Sequence, residues 1–80
     1  MKTFSATELG QAIRQRRREL GYTQTEIADF SGCSLTFVSD LENGKKTAEL
    51  EKTLRVVNTL GVDILFEARG QYEIVRYDHE

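Results

Sequence analysis

The sequence predicts a mainly α domain of four short helices, the second and third joined as a helix-turn-helix, followed by a short C-terminal β segment paired across a dimer. Three observations carry that expectation. Thr23 and Glu26 have the spacing of a capping box, with Tyr22 before the cap and Ile27 at the fourth helical position as a hydrophobic staple. Gly32-Cys33-Ser34 leaves only a tight connection between one helix end and the next helix start, and such a turn forces the two helices to cross steeply. After Gly61 the apolar period changes from that of helices to that of strands.

The first helix is expected from Thr7 to Leu20, with Leu9, Ala12, Ile13 and Leu20 as its apolar stripe and Gly21 as its stop. Arg16 falls within that stripe, so its aliphatic stem is expected along the core edge with the guanidinium reaching solvent. The second helix starts at Thr23, carries Ile27 and Ala28 inward and stops at Ser31-Gly32, where glycine permits the positive φ of a C-terminal cap. The third begins with Ser34 as N-cap and ends at Asn43-Gly44. Thr47 is expected to cap the fourth, with Glu49 in its first turn, an inner face of Leu50, Leu54, Val57 and Leu60, and Val56 off that face. Beyond it, Val62–Glu67 and Tyr72–Tyr77 read as strands joined by a turn at Arg69-Gly70, and Asp78-His79-Glu80 as a frayed end.

Eighty residues make one small domain with a limited core, so a partner chain is expected on stability grounds. The chain divides into a helical body, residues 1–61, and a β tail, residues 62–80. An isolated ribbon with an apolar edge is rarely stable in water. Pairing with the same segment of a second chain, through Ile64, Phe66 and Ile74, would resolve this, and the alternative is a hairpin folded back on its own helices. The formal net charge is −2, from 11 basic and 13 acidic side chains, but the bases cluster at Arg14, Arg16, Arg17 and Arg18 and again at Lys45-Lys46. Local potential therefore matters more than the total.

One cysteine excludes an internal disulfide and a Cys-based zinc site, and no cofactor or metal is expected. Cys33 reads as a small buried hydrophobe, with a redox switch as its rival. The apolar start turns polar at once, which excludes a signal peptide, and no run is long enough for a membrane span, so a cytoplasmic location and no membrane partner are expected. No phosphate loop, nucleophile motif or metal spacing appears, and Asp40 and Glu42 face different ways on their helix, so no enzyme activity is expected.

On a helical wheel of the third helix, Val38 and Leu41 fall on one side and Thr36, Ser39, Asp40 and Asn43 on the other. Short hydrogen-bonding side chains on an exposed face let a helix enter a major groove closely and read base edges. Glu42 lies about 70° from the inward centre of this helix, within reach of Arg17 on the first, with Arg16 as the second candidate.

The stretch from Gln24-Thr25-Glu26-Ile27-Ala28 through Gly32-Cys33-Ser34 to Leu41-Glu42-Asn43-Gly44-Lys45 resembles Cro-like, XRE-type repressors of the lambda-repressor-like fold. The run Phe37–Lys45, followed by Thr47–Leu50 and Leu54–Val57, is similar to HipB-type regulators, antitoxins of HipA-like Ser/Thr kinase toxins. The similarity covers roughly residues 6 to 66. It implies a homodimer whose C-terminal strands pair, which binds an inverted-repeat operator in duplex DNA and holds the kinase in a complex.

Carried over by position, the resemblance implies base contacts from Leu35, Thr36, Ser39 and Asp40, and phosphate contacts from Thr23, Gln24, Ser34, Asn43, Lys45 and Lys46. Leu35 stands where Gln or Arg is frequent, so its contact would be apolar, with a thymine methyl, while Asp40 could accept from a cytosine amino group but repels phosphate. Phe37 is either a core wedge or a base contact, and Lys46 replaces a frequent proline. The pair matching Arg17 and Glu42 forms a salt bridge in such relatives. Three functions stand at this point: an autoregulating antitoxin repressor, a stand-alone or prophage-type repressor, and an adaptor whose helix-turn-helix mediates only protein contacts.

Overall fold

Four α-helices, α1 (Ala6–Glu19), α2 (Gln24–Ser31), α3 (Leu35–Glu42) and α4 (Leu50–Thr59), make up the computed structural model, which describes residues 5–66 and 68. No strand forms among the described residues. Each of the first three helices starts where a hydroxyl satisfies an orphan backbone N–H. Ser5 Oγ accepts from Glu8 N–H at 3.1 Å, Thr23 Oγ1 from Glu26 N–H at 3.1 Å and Ser34 Oγ from Phe37 N–H at 3.0 Å. At α2 the box closes, because Glu26 Oε1 accepts from the Thr23 N–H at 2.8 Å. Gly32 ends α2 at φ 71°, a left-handed conformation that other side chains reach only with strain.

The core sits where α2 meets α3 and α4, with α1 laid across α3. Ile13, Ile27, Ala28, Val38, Leu41, Val56, Val57 and Leu60 form it, and Leu9, Cys33, Phe37, Ala48 and Val62 seal its edges. Gly10 permits the α1–α3 approach: a Cβ there would stand 2.4 Å from the Leu41 carbonyl oxygen and 2.7 Å from that of Glu42. Both obstacles are backbone. The glycine that weakens an isolated helix is thus what lets two helices touch.

Several expectations change in three dimensions. Helix α4 is capped by Glu49 rather than Thr47, with no side-chain hydrogen bond at the cap. Its inner face is Thr53, Val56, Val57 and Leu60, so Val56 is fully buried while Leu50 and Leu54 are 70% and 40% exposed. The reason is chemical. Thr53 Oγ1 donates to the Glu49 carbonyl at 2.8 Å, so its polar atom is satisfied within the helix and its methyl side can face the core. On α1 the buried positions are Gly10, Ile13 and Arg17, and Leu20 lies partly exposed. The Arg16 guanidinium does not simply reach solvent: its Nε–H donates to the Leu60 carbonyl at 3.0 Å, ties α1 to the last turn of α4, and approaches Glu19 at 3.5 Å. Tyr22 packs edge-on against Phe30, with ring centroids 5.4 Å apart.

The expected strand at Val62–Glu67 is not formed over the residues described there, because a strand needs a ladder partner and none of the described residues supplies one. The second expected strand, Tyr72–Tyr77, the turn at Arg69-Gly70 and Ile74 lie outside the described residues.

Candidate nucleic-acid interface

A buried charge cluster joins the exposed side of α3 to the start of α2. Arg17 and Glu42 lie in contact there: Arg17 Nε–H donates to Glu42 Oε2 at 2.7 Å and its Nη2 to Oε1 at 3.0 Å, a bidentate pair. A third donor completes the cluster, since Gln24 Nε2 donates to Glu42 Oε1 at 3.0 Å. Arg17 also donates from Nη1 to the Tyr22 carbonyl at 2.8 Å, holding the α1–α2 turn. The cluster therefore links all three helices that a helix-turn-helix needs in fixed relation.

Burial is the largest single influence on the Glu42 carboxyl and pushes it up. The hydrogen bonds from Arg17 and Gln24 and the charges of Arg17 and Arg14 together outweigh it, leaving Glu42 below the ordinary glutamate value. The hydrogen bond to Glu42 raises Arg17, against the opposing effect of burial. Both groups are held in their charged forms.

Along α3, Leu35 is 48% exposed, Thr36 is exposed, and Ser39 and Asp40 are half-buried on the same outward side. Phe37 is half-buried at the edge of the core and carries Lys52 Nζ at 5.9 Å from its ring centroid. Both proposals for Phe37 concern one flank, and its packing makes it a wedge between α3 and the core. Asp40 is not an isolated negative charge, because Lys45 Nζ stands 3.6 Å from its Oδ2 and the Lys45 N–H donates to the Asp40 carbonyl at 3.0 Å. A base-facing candidate and a phosphate-facing candidate are thus tied together across the exit of α3.

The remaining candidates bracket this surface. Thr23 and Ser34 use their oxygens as acceptors for helix N–H groups, which leaves each hydroxyl proton free to donate to a ligand. Asn43, Lys45 and Lys46 are exposed beyond α3. Gly44, at φ 82°, turns the chain there, and a Cβ on it would meet Thr7 Cα at 2.9 Å. Cys33 is half-buried in the turn, with Sγ 3.7 Å from the Ser31 carbonyl and 3.9 Å from that of Lys52. Sequence reasoning missed the Gln24–Glu42 and Asp40–Lys45 contacts, which join residues 18 and 5 positions apart and carry no periodic signal. It also missed Gly10, for which the signal was available: a glycine inside an otherwise helical pattern asks for a packing reason.

Residues 13–66 match the helix-turn-helix family HTH_3, the XRE type, and the chain belongs to it. Over 64 residues it is 41% identical to the HTH-type transcriptional regulator y4mF of Sinorhizobium fredii (strain NBRC 101917 / NGR234), covering 80% of this chain and 84% of the relative. Among solved structures it is similar to a chain of the HipA-HipB-O2-O3 complex, with a TM-score of 0.80 and 25% identity, covering 86% of this chain and 97% of that one. The HipB-O4 20mer complex gives the same TM-score, identity and coverage. The protein is therefore a helix-turn-helix transcriptional regulator with a DNA-binding fold similar to that of HipB. The family is one of transcription regulators and not an enzyme class. Among the described residues no helix is long and apolar enough to cross a membrane.

Proposed function

We propose that this protein is a homodimeric, sequence-specific repressor of the HipB type, an antitoxin that binds an inverted-repeat operator in its own promoter and complexes a HipA-like kinase. The observation that carries the reading is the likeness at TM-score 0.80, over 86% of this chain, to a chain of a complex that contains both HipA and HipB. Residues up to 61 are the DNA-binding body, and residues 62–80 the dimerisation tail. Ile64 at 48% exposure and Phe66 at 97% offer apolar surface to the tail of a second chain. The work is cytoplasmic.

On the DNA, Leu35, Thr36, Ser39 and Asp40 face base edges, while Thr23, Gln24, Ser34, Asn43, Lys45 and Lys46 take phosphates. Gln24 spends one amide N–H on Glu42, which fixes its plane and leaves its second N–H for a phosphate oxygen. The ion pair between Asp40 and Lys45 lowers the repulsion that an unpartnered carboxylate would bring to the groove.

The test is a binding selection from random duplexes, together with purification from the native operon. The expected product is a palindromic site with half-sites about 34 Å apart. Thr36→Ala and Asp40→Ala should change the preferred base at one position per half-site, and Lys45→Ala should weaken all duplexes alike. No sequence-selective binding would favour the adaptor reading, and absence of a co-purified kinase would reduce the assignment to a stand-alone repressor.

A further inference from the structure

Among the described cations, Arg16, Arg17, Lys45 and Lys52 are each engaged by an acidic side chain. Arg14, Arg18, Lys46 and Arg55 are not. Arg14 differs from the others by where it lies. A Cβ on Gly44 would meet Thr7 Cα at 2.9 Å, Gly10 lies against the Leu41 and Glu42 carbonyls, and the Arg17 guanidinium spans Glu42 and the Tyr22 carbonyl. Thr7, Gly10, Arg14 and Arg17 recur at intervals of three, four and three, so they share one side of α1.

That row runs from the exit of α3, where Asn43 and Lys45 stand, to the start of α2, where Gln24 stands. Arg14 and Thr7 are its exposed members, and Arg14 makes no hydrogen bond or ion pair among the described residues. Its charge is felt at Glu42, but that carboxylate already accepts two hydrogen bonds from Arg17 and one from Gln24 and leaves Arg14 unclaimed. Beside it Gln11, Gln15, Arg18 and Glu19 line the same shallow face of α1.

We propose that Arg14 is a further DNA-phosphate contact, made from α1 outside the helix-turn-helix and set between the phosphate contacts at the start of α2 and those at the exit of α3. The inference rests on the DNA-binding reading above. The row from Thr7 to Arg17 is about 15 Å long at 1.5 Å per helical residue. A duplex strand lying along it would place phosphates between its two ends, and Arg14 is the cation of the row that no carboxylate pairs. A guanidinium suits the task, because its fork takes two phosphate oxygens at once.

Affinity for the duplex recovered in the selection, measured by fluorescence anisotropy between 0.05 and 0.2 M salt, tests this. Arg14→Gln should weaken every duplex alike, by about eight-fold per protomer at 0.1 M salt, and make the log–log salt slope shallower by about 0.9 per protomer. Arg14→Lys should keep the slope. Arg55→Gln removes the same charge from α4 beside the Gly32 turn and should leave the slope as in the parent chain. A parent slope retained by a folded Arg14→Gln protein overturns the inference alone, as does an equal fall for Arg55→Gln, which would reduce the effect to net charge. A parent chain that binds no duplex overturns both this inference and the DNA-binding reading.

Discussion

Removing one side of the Arg17–Glu42 pair should cost much more than removing both. Glu42 is 5% exposed and accepts three hydrogen bonds, two of them from Arg17. Arg17→Ala would strip those two and strand a buried carboxylate with Gln24 as its remaining donor. Breaking a buried pair in this way costs about 3 to 5 kcal/mol, because the desolvation of the remaining charge is no longer offset. A domain of this length is worth about 4 to 12 kcal/mol in total, so the loss is a large share of its stability. With a urea m-value of about 1 kcal/mol/M for so small a domain, the denaturation midpoint should fall by about 3 M or the transition vanish. Arg17→Met combined with Glu42→Leu should recover most of this loss, since well-packed apolar pairs replace buried ion pairs at little net cost. Urea titrations of Arg17→Met, Glu42→Leu and the double variant, followed by circular dichroism, give the coupling energy directly. Midpoints for both single variants within about 0.5 M of the parent would refute the reasoning, and so would a double variant no more stable than the worse single one.

Two further outcomes follow from the same geometry, and a third from the proposed dimerisation tail. Because Glu42 is held below its ordinary value in the folded state, its contribution is complete above the unfolded glutamate value of about 4.3 and is lost as pH falls through the lower folded value; stability measured from pH 7 downward should decline there, and Glu42→Gln should flatten that decline. Gly10→Ala, which would gain about 1 kcal/mol of helix propensity in an open helix, should instead destabilise by about 1 to 3 kcal/mol, because its Cβ meets two backbone carbonyls; a thermal midpoint at or above the parent's would contradict the close approach. Deleting residues 62–80 should leave a monomer or an aggregate, and a truncated chain that sediments as a dimer at micromolar concentration would rule out the tail as the dimerisation element.

What the amino-acid sequence determined by itself was local. The Thr23–Glu26 box, the Ser34 cap and the Gly32 stop are contacts between residues a few positions apart, so their spacing alone specifies where α2 and α3 begin and end. Val38 and Leu41 were readable as inward for the same reason, because in a short helix between two firm caps the period leaves little choice. On α4 two apolar stripes compete, one through Leu50 and Leu54 and one through Val56 and Leu60. The period cannot choose between stripes less than a turn apart. Only docking against α2 decided it, and Thr53 could join the chosen face once its hydroxyl was bonded to its own helix. Tertiary structure likewise decided that Gly10 is a contact point, that Arg16 caps α4, and that Gln24 is the third donor to Glu42. Each of those joins residues far apart in the chain through a single polar group or an absent side chain, and neither leaves a periodic trace for a sequence to display.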